Sequence, residues 1–164
     1  MDNSHMTKEL IVVALDHTPA GTAALRWAVD WAIERDARVL TVRVHDVAAR
    51  ADLALERDLP GERARAVMRA NEQVIGGLGS RANAVSVTVS LVEGALVSRL
   101  GRAAERASLL VLGQPQSADH QDLPDAVARG CSCPVVVVDE AGVARRVSES
   151  SATAPAGRAR SGSR

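Results

Sequence analysis

The sequence predicts an α/β domain in which a parallel β-sheet carries helices on both faces. Short, nearly uninterrupted apolar runs such as residues 10–15 are typical of strands that are buried on both sides. Segments with apolar residues at helical spacing separate these runs, and this alternation predicts parallel strands joined by right-handed crossovers. A length of 164 residues suffices for one domain with a normal core.

The apolar runs predict five strands, with a helix between each consecutive pair. These strands cover residues 10–15, 39–44, 85–92, 108–113 and 135–138. Residues 85–92 alternate valine or leucine with serine or threonine, which is typical of a strand at the edge of a sheet.

The predicted helices follow from capping residues and apolar spacing. Thr18 is a predicted N-cap, and Pro19 suits the first position of a helix that continues to about Arg35. A polar, alanine-rich loop is predicted for residues 46–59, and the second helix begins near Pro60. Two further helices lie between the last three strands.

Both ends of the chain are separated from this core by their composition. Residues 1–6 resemble a vector remnant, and the domain is predicted to span residues 7–141. Residues 142–164 are rich in Arg, Ser and Ala with almost no large apolar side chain, so burial cannot offset their ordering entropy. We predict that they form a disordered tail.

Composition argues against several classes of protein. The formal net charge is zero, which predicts no attraction to nucleic acid or to a membrane surface. With two Trp and neither Phe nor Tyr, the chain lacks the aromatic platforms on which single strands stack. No apolar run approaches the roughly 20 residues that a bilayer requires. Two cysteines and no recognisable signal peptide predict a cytoplasmic protein without a disulfide.

Ligands of open parallel sheets bind beyond the carboxyl ends of the strands, where the strand order reverses. The candidate residues at that rim are Asp16, His17, Thr18, Arg43, Glu93 and Gly113. Asp16 has two explanations, since an aspartate just before a helix is also a common turn residue and N-terminal charge. Contact with a ligand and a purely local role therefore both remain open for Asp16.

The histidines and cysteines predict no metal site. His17, His45 and His120 lack the spacing of metal ligands. Cys131 and Cys133 are too close together for a usual zinc site, and we expect them to be small buried residues.

The core, from about Glu9 to Asp139, resembles the universal stress protein family. The resemblance is carried by the order and spacing of several pieces, which are residues 12–19, residues 24–28, Glu93-Gly94, residues 108–113 and Cys133-Pro134. It implies a five-stranded sheet of order 3-2-1-4-5, the adenine nucleotide alpha hydrolase-like arrangement, and a homodimer.

In one branch of this family an adenine nucleotide, ATP or AMP, binds where the strand order reverses. The resemblance implies that the nucleotide-binding positions here are Ala14, Asp16, Thr18, Val39 and Gly113. Among them, Asp16 and Val39 match the residues that hold the base and ribose side.

The phosphate-binding pattern of that branch is incomplete in this chain. The family pattern is G-x-x-G, about nine residues, and then G-[S/T], because glycines let backbone N–H groups approach the phosphates. Residues 113–116 are Gly-Gln-Pro-Gln, which keeps only the first glycine, and Pro115 removes one backbone donor. Asp119, Asp122 and Asp125 add negative charge nearby. The sequence therefore predicts weak or absent ATP binding.

The last strand bears on self-association. In the implied strand order it is an edge of pure valine, and an uncovered edge pairs readily with another chain. The predicted dimer interface is therefore Val135, Val136, Val137 and Val138. Trp27 and Trp31 lie one helical turn apart, and packing against the adjacent helix or contact with a partner explains them equally well.

Two functions of different classes remain. The chain has no G-x-S-x-G elbow, no H-E-x-x-H helix and no P-loop, so we predict that it is not an enzyme. The favoured function is a cytoplasmic, homodimeric stress-response module that acts through contacts with an unidentified protein partner. The alternative is an adenine-nucleotide sensor that binds AMP, ADP or ATP, with at most slow hydrolysis.

Overall fold

A computed structural model of the chain describes residues 8–45 and 60–147, and in it six strands form one sheet of order β3-β2-β1-β4-β5-β6. The strands are β1 (Leu10–Ala14), β2 (Arg38–His45), β3 (Val87–Glu93), β4 (Leu109–Gly113), β5 (Val135–Val138) and β6 (Ala144–Val147). The first five are parallel to one another, and β6 is antiparallel to β5. The predicted α/β fold is confirmed, and a sixth strand extends the predicted order.

Helices connect the parallel strands within the described ranges. They are α1 (Pro19–Arg35), α2 (Pro60–Leu78), α3 (Leu96–Ala103) and α4 (Leu123–Gly130). Short 3-10 segments follow α2 and precede α4, at Gly79–Asn83 and Ala118–His120. In these ranges no helix has the length and apolar character that a membrane crossing requires. The predicted loop at 46–59 and both terminal segments, 1–6 and 148–164, lie outside the described residues.

The two faces of the sheet carry separate apolar cores. Successive residues of a strand point to opposite faces, so Ile11 of β1 packs on one side and Val12 packs on the other. The core around Ile11 is closed by α1 and α2, through residues such as Leu25. The core around Val12 is closed by α3 and α4, through residues such as Leu100. Helices therefore cover both faces, as predicted.

The structure corrects the prediction that β5 is an edge strand. Each valine of Val135–Val138 is between 0% and 8% exposed, and β5 pairs with β4 on one side and β6 on the other. The prediction of a disordered tail from residue 142 is accordingly wrong for Ala144–Val147. The sequence Ala-Arg-Arg-Val does not predict a strand, because it lacks the apolar alternation of one. Only Val147 of the four residues is buried. The predicted edge position of β3 is confirmed.

A tight turn holds β6 beside β5. Asp139 Oδ1 accepts hydrogen bonds from the amide nitrogens of Ala141 at 3.0 Å and Val143 at 2.9 Å. Gly142 adopts a φ of 88°, which L-residues with a side chain rarely take. This turn reverses the chain and makes β6 antiparallel to its neighbour.

Candidate functional site

The rim at the carboxyl ends of β1 and β4 is filled by the N-terminus of α1. A Cβ atom at Gly113 would lie 2.7 Å from the amide nitrogen of Gly21 and 2.8 Å from the carbonyl carbon of Ala20. Distances this short do not occur for real Cβ atoms, so α1 can approach the end of β4 only because residue 113 is glycine. The close packing of α1 is thus sufficient reason for a glycine at position 113, which the family resemblance lists as a nucleotide-binding residue.

The carboxylate of Asp16 lies over the same helix N-terminus. Its Oδ1 accepts hydrogen bonds from the Thr18 backbone N–H at 2.9 Å and from Thr18 Oγ1 at 2.6 Å. Thr18 Oγ1 in turn accepts from the Gly21 N–H at 3.0 Å, which confirms Thr18 as the N-cap. A negative charge already lies where the helix would attract an anion. Asp16 therefore has the local role of a turn residue that places a negative charge at the helix N-terminus.

Basic side chains lie on the β2 side of the rim. The guanidinium group of Arg43 contacts both ring nitrogens of His17, with Nη1 3.4 Å from Nδ1 and Nη2 against Nε2. Partial burial lowers the pKa of Arg43, the neighbouring charge of Arg69 lowers it further, and Asp16 raises it. An arginine remains protonated under these influences, so positive charge persists beside Asp16.

Gln73 of α2 also reaches the rim and is not among the site residues predicted from the sequence. Its Nε2 donates to the backbone oxygen of Asp16 at 2.5 Å. Its Oε1 is buried and has no hydrogen-bond partner among the described residues. The sequence does contain a signal for Gln73. It is a polar residue between the buried Ala70 and Val74, on a helix whose inward face is otherwise apolar.

The first two residues of the crossover from β4 to β5 offer a phosphate no free backbone donor. The Gln114 N–H donates to Val138 O at 2.8 Å, which extends the sheet pairing, and Pro115 has no N–H. The side-chain amide of Gln121 lies close to the oxygens of Pro115, at 3.4 Å, and Ser117, at 3.3 Å. The loop is therefore held by contacts within itself and with the sheet.

The N-terminus of α4, which ends this crossover, carries acidic residues. Asp122 is its N-cap residue and Asp125 lies in the first turn. Carboxylates at this end interact favourably with the helix dipole, so they compete with an added phosphate and also repel it. The side chain of Asp119 lies outside the described residues.

Val39 does not reach the rim. It pairs with Ile11, three residues before the end of β1 and roughly 10 Å away along the strand. Its side chain is 2% exposed and belongs to the apolar core under α1. The proposed grouping of Val39 with Asp16 is therefore corrected, whereas Ala14, at the end of β1, does lie at the rim.

The remaining candidate residues do not lie beside Asp16 and Gly113. Glu93 ends β3, the edge strand two positions from β1, and is exposed. Cys131 and Cys133 are buried and form no disulfide. Within the described residues, no three His, Cys, Asp or Glu side chains cluster so that they could hold a metal ion.

Comparison with known proteins agrees with the observed fold. The sequence model of the universal stress protein family matches residues 9–139. A universal stress protein family member from Burkholderia pseudomallei is 28% identical, with a TM-score of 0.52 over 80% of this chain and 96% of that chain. No curated protein matches the chain.

Two further similar structures contain nucleotides. A universal stress protein in complex with cAMP is 20% identical, with a TM-score of 0.57 over 82% of this chain and 98% of that chain. The universal stress protein from Archaeoglobus fulgidus in complex with dAMP is 21% identical, with a TM-score of 0.55 over 80% of this chain and 98% of that chain. Because the family model spans most of the sequence and the fold agrees with it, the chain belongs to the universal stress protein family.

Proposed function

We propose that this chain is a cytoplasmic stress-response module that acts through contacts with other proteins and does not hold a nucleoside triphosphate at the sheet rim. The hydrogen bond from the Gln114 N–H to Val138 O carries this proposal, because it occupies the first donor after Gly113. Pro115 supplies no donor, and Asp122 and Asp125 oppose the charge of a triphosphate.

The proposed module is not an enzyme. A catalytic site requires a nucleophile or a base that is free to act on a substrate. At this rim, Asp16 is hydrogen-bonded to Thr18, and His17 is in contact with the cationic Arg43. These contacts support a local structural role for both side chains.

A nucleoside monophosphate is the alternative ligand, and the basic side of the rim favours it. Arg43 contacts His17, and the charge of Arg69 lies near Arg43. One phosphate needs fewer backbone donors than three. The solved complexes with cAMP and dAMP contain ligands of this size. The buried Gln73 Oε1 is a further acceptor beside the same rim.

Isothermal titration of the nucleotide-free protein with Mg-ATP and with AMP tests both possibilities. We expect no binding of Mg-ATP tighter than about 1 mM, which corresponds to roughly −4 kcal/mol. A micromolar Kd for Mg-ATP that Asp16→Ala abolishes and Glu140→Ala preserves would contradict the proposal. Binding of AMP alone, lost in Arg43→Ala and kept in Arg38→Ala at the other end of β2, would establish the alternative.

The predicted homodimer also needs a different surface from the one that the sequence indicates. Because β6 covers β5, a second chain can reach the valines only if β6 leaves the sheet. Direct pairing of two antiparallel β6 strands in register would place Arg145 of one chain opposite Arg146 of the other, which like-charge repulsion disfavours. We therefore propose that any self-association leaves the β5 edge covered.

A further inference from the structure

A groove of about 450 Å³ lies at the amino ends of the strands, at the opposite edge of the sheet from the rim. Glu9, Ser108 and Pro134, which line it, immediately precede β1, β4 and β5. Leu109 and Val136 form its apolar floor, and both are buried. This volume falls within the range of about 300–1,000 Å³ that is usual for small-molecule sites.

One wall of the groove is a flat aromatic surface on α1. The rings of Trp27 and Trp31 stack with their centroids 5.0 Å apart and an interplanar angle of 22°. The guanidinium carbon of Arg35 lies 3.6 Å from the centroid of the Trp31 ring. Because Trp27 and Arg35 both stack on the Trp31 ring, the surface left for another planar group is on Trp27 and along the ring edges, where both indoles are partly exposed.

The opposite wall is β6, and the alternation of its residues decides which arginine faces the groove. Ala144 packs with the core under α1, whereas Val147 packs with the core on the other face. Arg146 therefore projects on the α1 side, next to Val136 in register. Arg145 also lines the groove, although its side chain leaves the strand on the other side. Arg145 Nη2 donates to Gln114 Oε1 at 3.3 Å.

We infer that this groove binds a small, flat aromatic anion, such as an aryl carboxylate. The apolar floor and the stacked indoles accommodate the ring, and Arg35 and Arg146 supply positive charge against the single carboxylate of Glu9. An arginine pairs with a carboxylate through two parallel N–H···O bonds, which suits an anionic group at the end of a planar body. The groove lies at the opposite edge of the sheet from the rim, so it does not depend on the proposed function.

The chain contains two tryptophans, and both line the groove, so their indole Nε1–H signals in a ¹H–¹⁵N spectrum report on this site. We would titrate the full-length protein with 2-naphthoate and with its neutral analogue 2-naphthalenemethanol. Both indole signals should shift saturably with 2-naphthoate, and the neutral analogue should bind at least about tenfold more weakly, because it lacks the charge-assisted bonds.

An arginine of β6 and an arginine on the other face of the sheet provide a pair of variants. Arg146→Ala should weaken naphthoate binding about tenfold, whereas Arg102→Ala, at an exposed position in α3 outside the groove, should change it by less than about twofold. Glu9→Gln should strengthen binding about twofold or more, since it removes a like charge. This gain cannot result from a loss of folding.

Three results would overturn the inference. The first is equal binding of the neutral analogue, and the second is an equal loss in Arg102→Ala and Arg146→Ala. The third is movement of the indole signals on dilution of the protein alone, which would show that a second copy of the chain occupies the groove.

Discussion

Gly113, the last residue of β4, packs against the backbone of Gly21 in the first turn of α1, with 2.7 Å between an added Cβ atom at position 113 and the Gly21 amide nitrogen. Gly113→Ala should therefore lower the free energy of unfolding by about 1–3 kcal/mol, because backbone on both sides must shift. Urea denaturation followed by circular dichroism measures the difference.

Gly76→Ala is the matched control for this substitution. Gly76 lies inside α2, and a Cβ atom there would meet nothing within 4 Å. Alanine at this position should raise stability by about 0.5–1 kcal/mol through helix propensity. Equal stability of Gly113→Ala and the wild type would show that α1 and β4 are not in close contact.

Substitutions of the N-cap residue Thr18 test the hydrogen bonds at the rim. Thr18→Ala removes the acceptor for the Gly21 N–H and the hydroxyl donor to Asp16, and it should cost about 1 kcal/mol of stability. Thr18→Ser should retain most of that stability, whereas Ser98→Ala, at an exposed position in α3, should change it by less than about 0.5 kcal/mol. A loss in Thr18→Ser as large as in Thr18→Ala would refute the capping role of the hydroxyl.

The protective role of β6 predicts a change of oligomeric state on truncation. A chain that ends at Glu140 lacks β6 and exposes the valine edge of β5, so its weight-average mass in sedimentation should rise with concentration. A chain that ends at Val147 keeps β6 and should sediment as the full-length protein does. If the shorter chain shows no more association than the longer one, β6 does not protect this edge.

The turn before β6 provides a milder test of the same strand. Asp139→Ala removes the acceptor for the Ala141 and Val143 N–H groups and should cost about 1–2 kcal/mol. Glu140→Ala, next to it and exposed, is the control and should have little effect. Hydrogen exchange of the Val147 amide should accelerate in Asp139→Ala if the turn holds β6 in place, and unchanged exchange would argue against that role.

The residues at the sheet rim were predictable only in part, for reasons that particular residues show. Asp16, Thr18 and Gly113 lie at the rim, as expected, because each is next to the end of a strand or the start of a helix, and these boundaries have local signals. Val39 was misplaced because its position along β2 depends on the register with β1. Gln73 was missed because its contact with Asp16 joins residues 57 positions apart.

The sequence by itself determined the alternation of strands and helices, the cap of α1 and the family, because periodicity, capping and short motifs are properties of neighbouring residues. Only the tertiary structure decided that β6 covers the valine strand β5 and that Gly113 allows the close approach of α1. The strand Ala144–Val147 shows the reason, since its four residues lack a strand pattern of their own and are ordered by pairing with β5. Long-range pairing and close backbone contact arise from residues distant in the chain, and neighbouring residues alone do not reveal them.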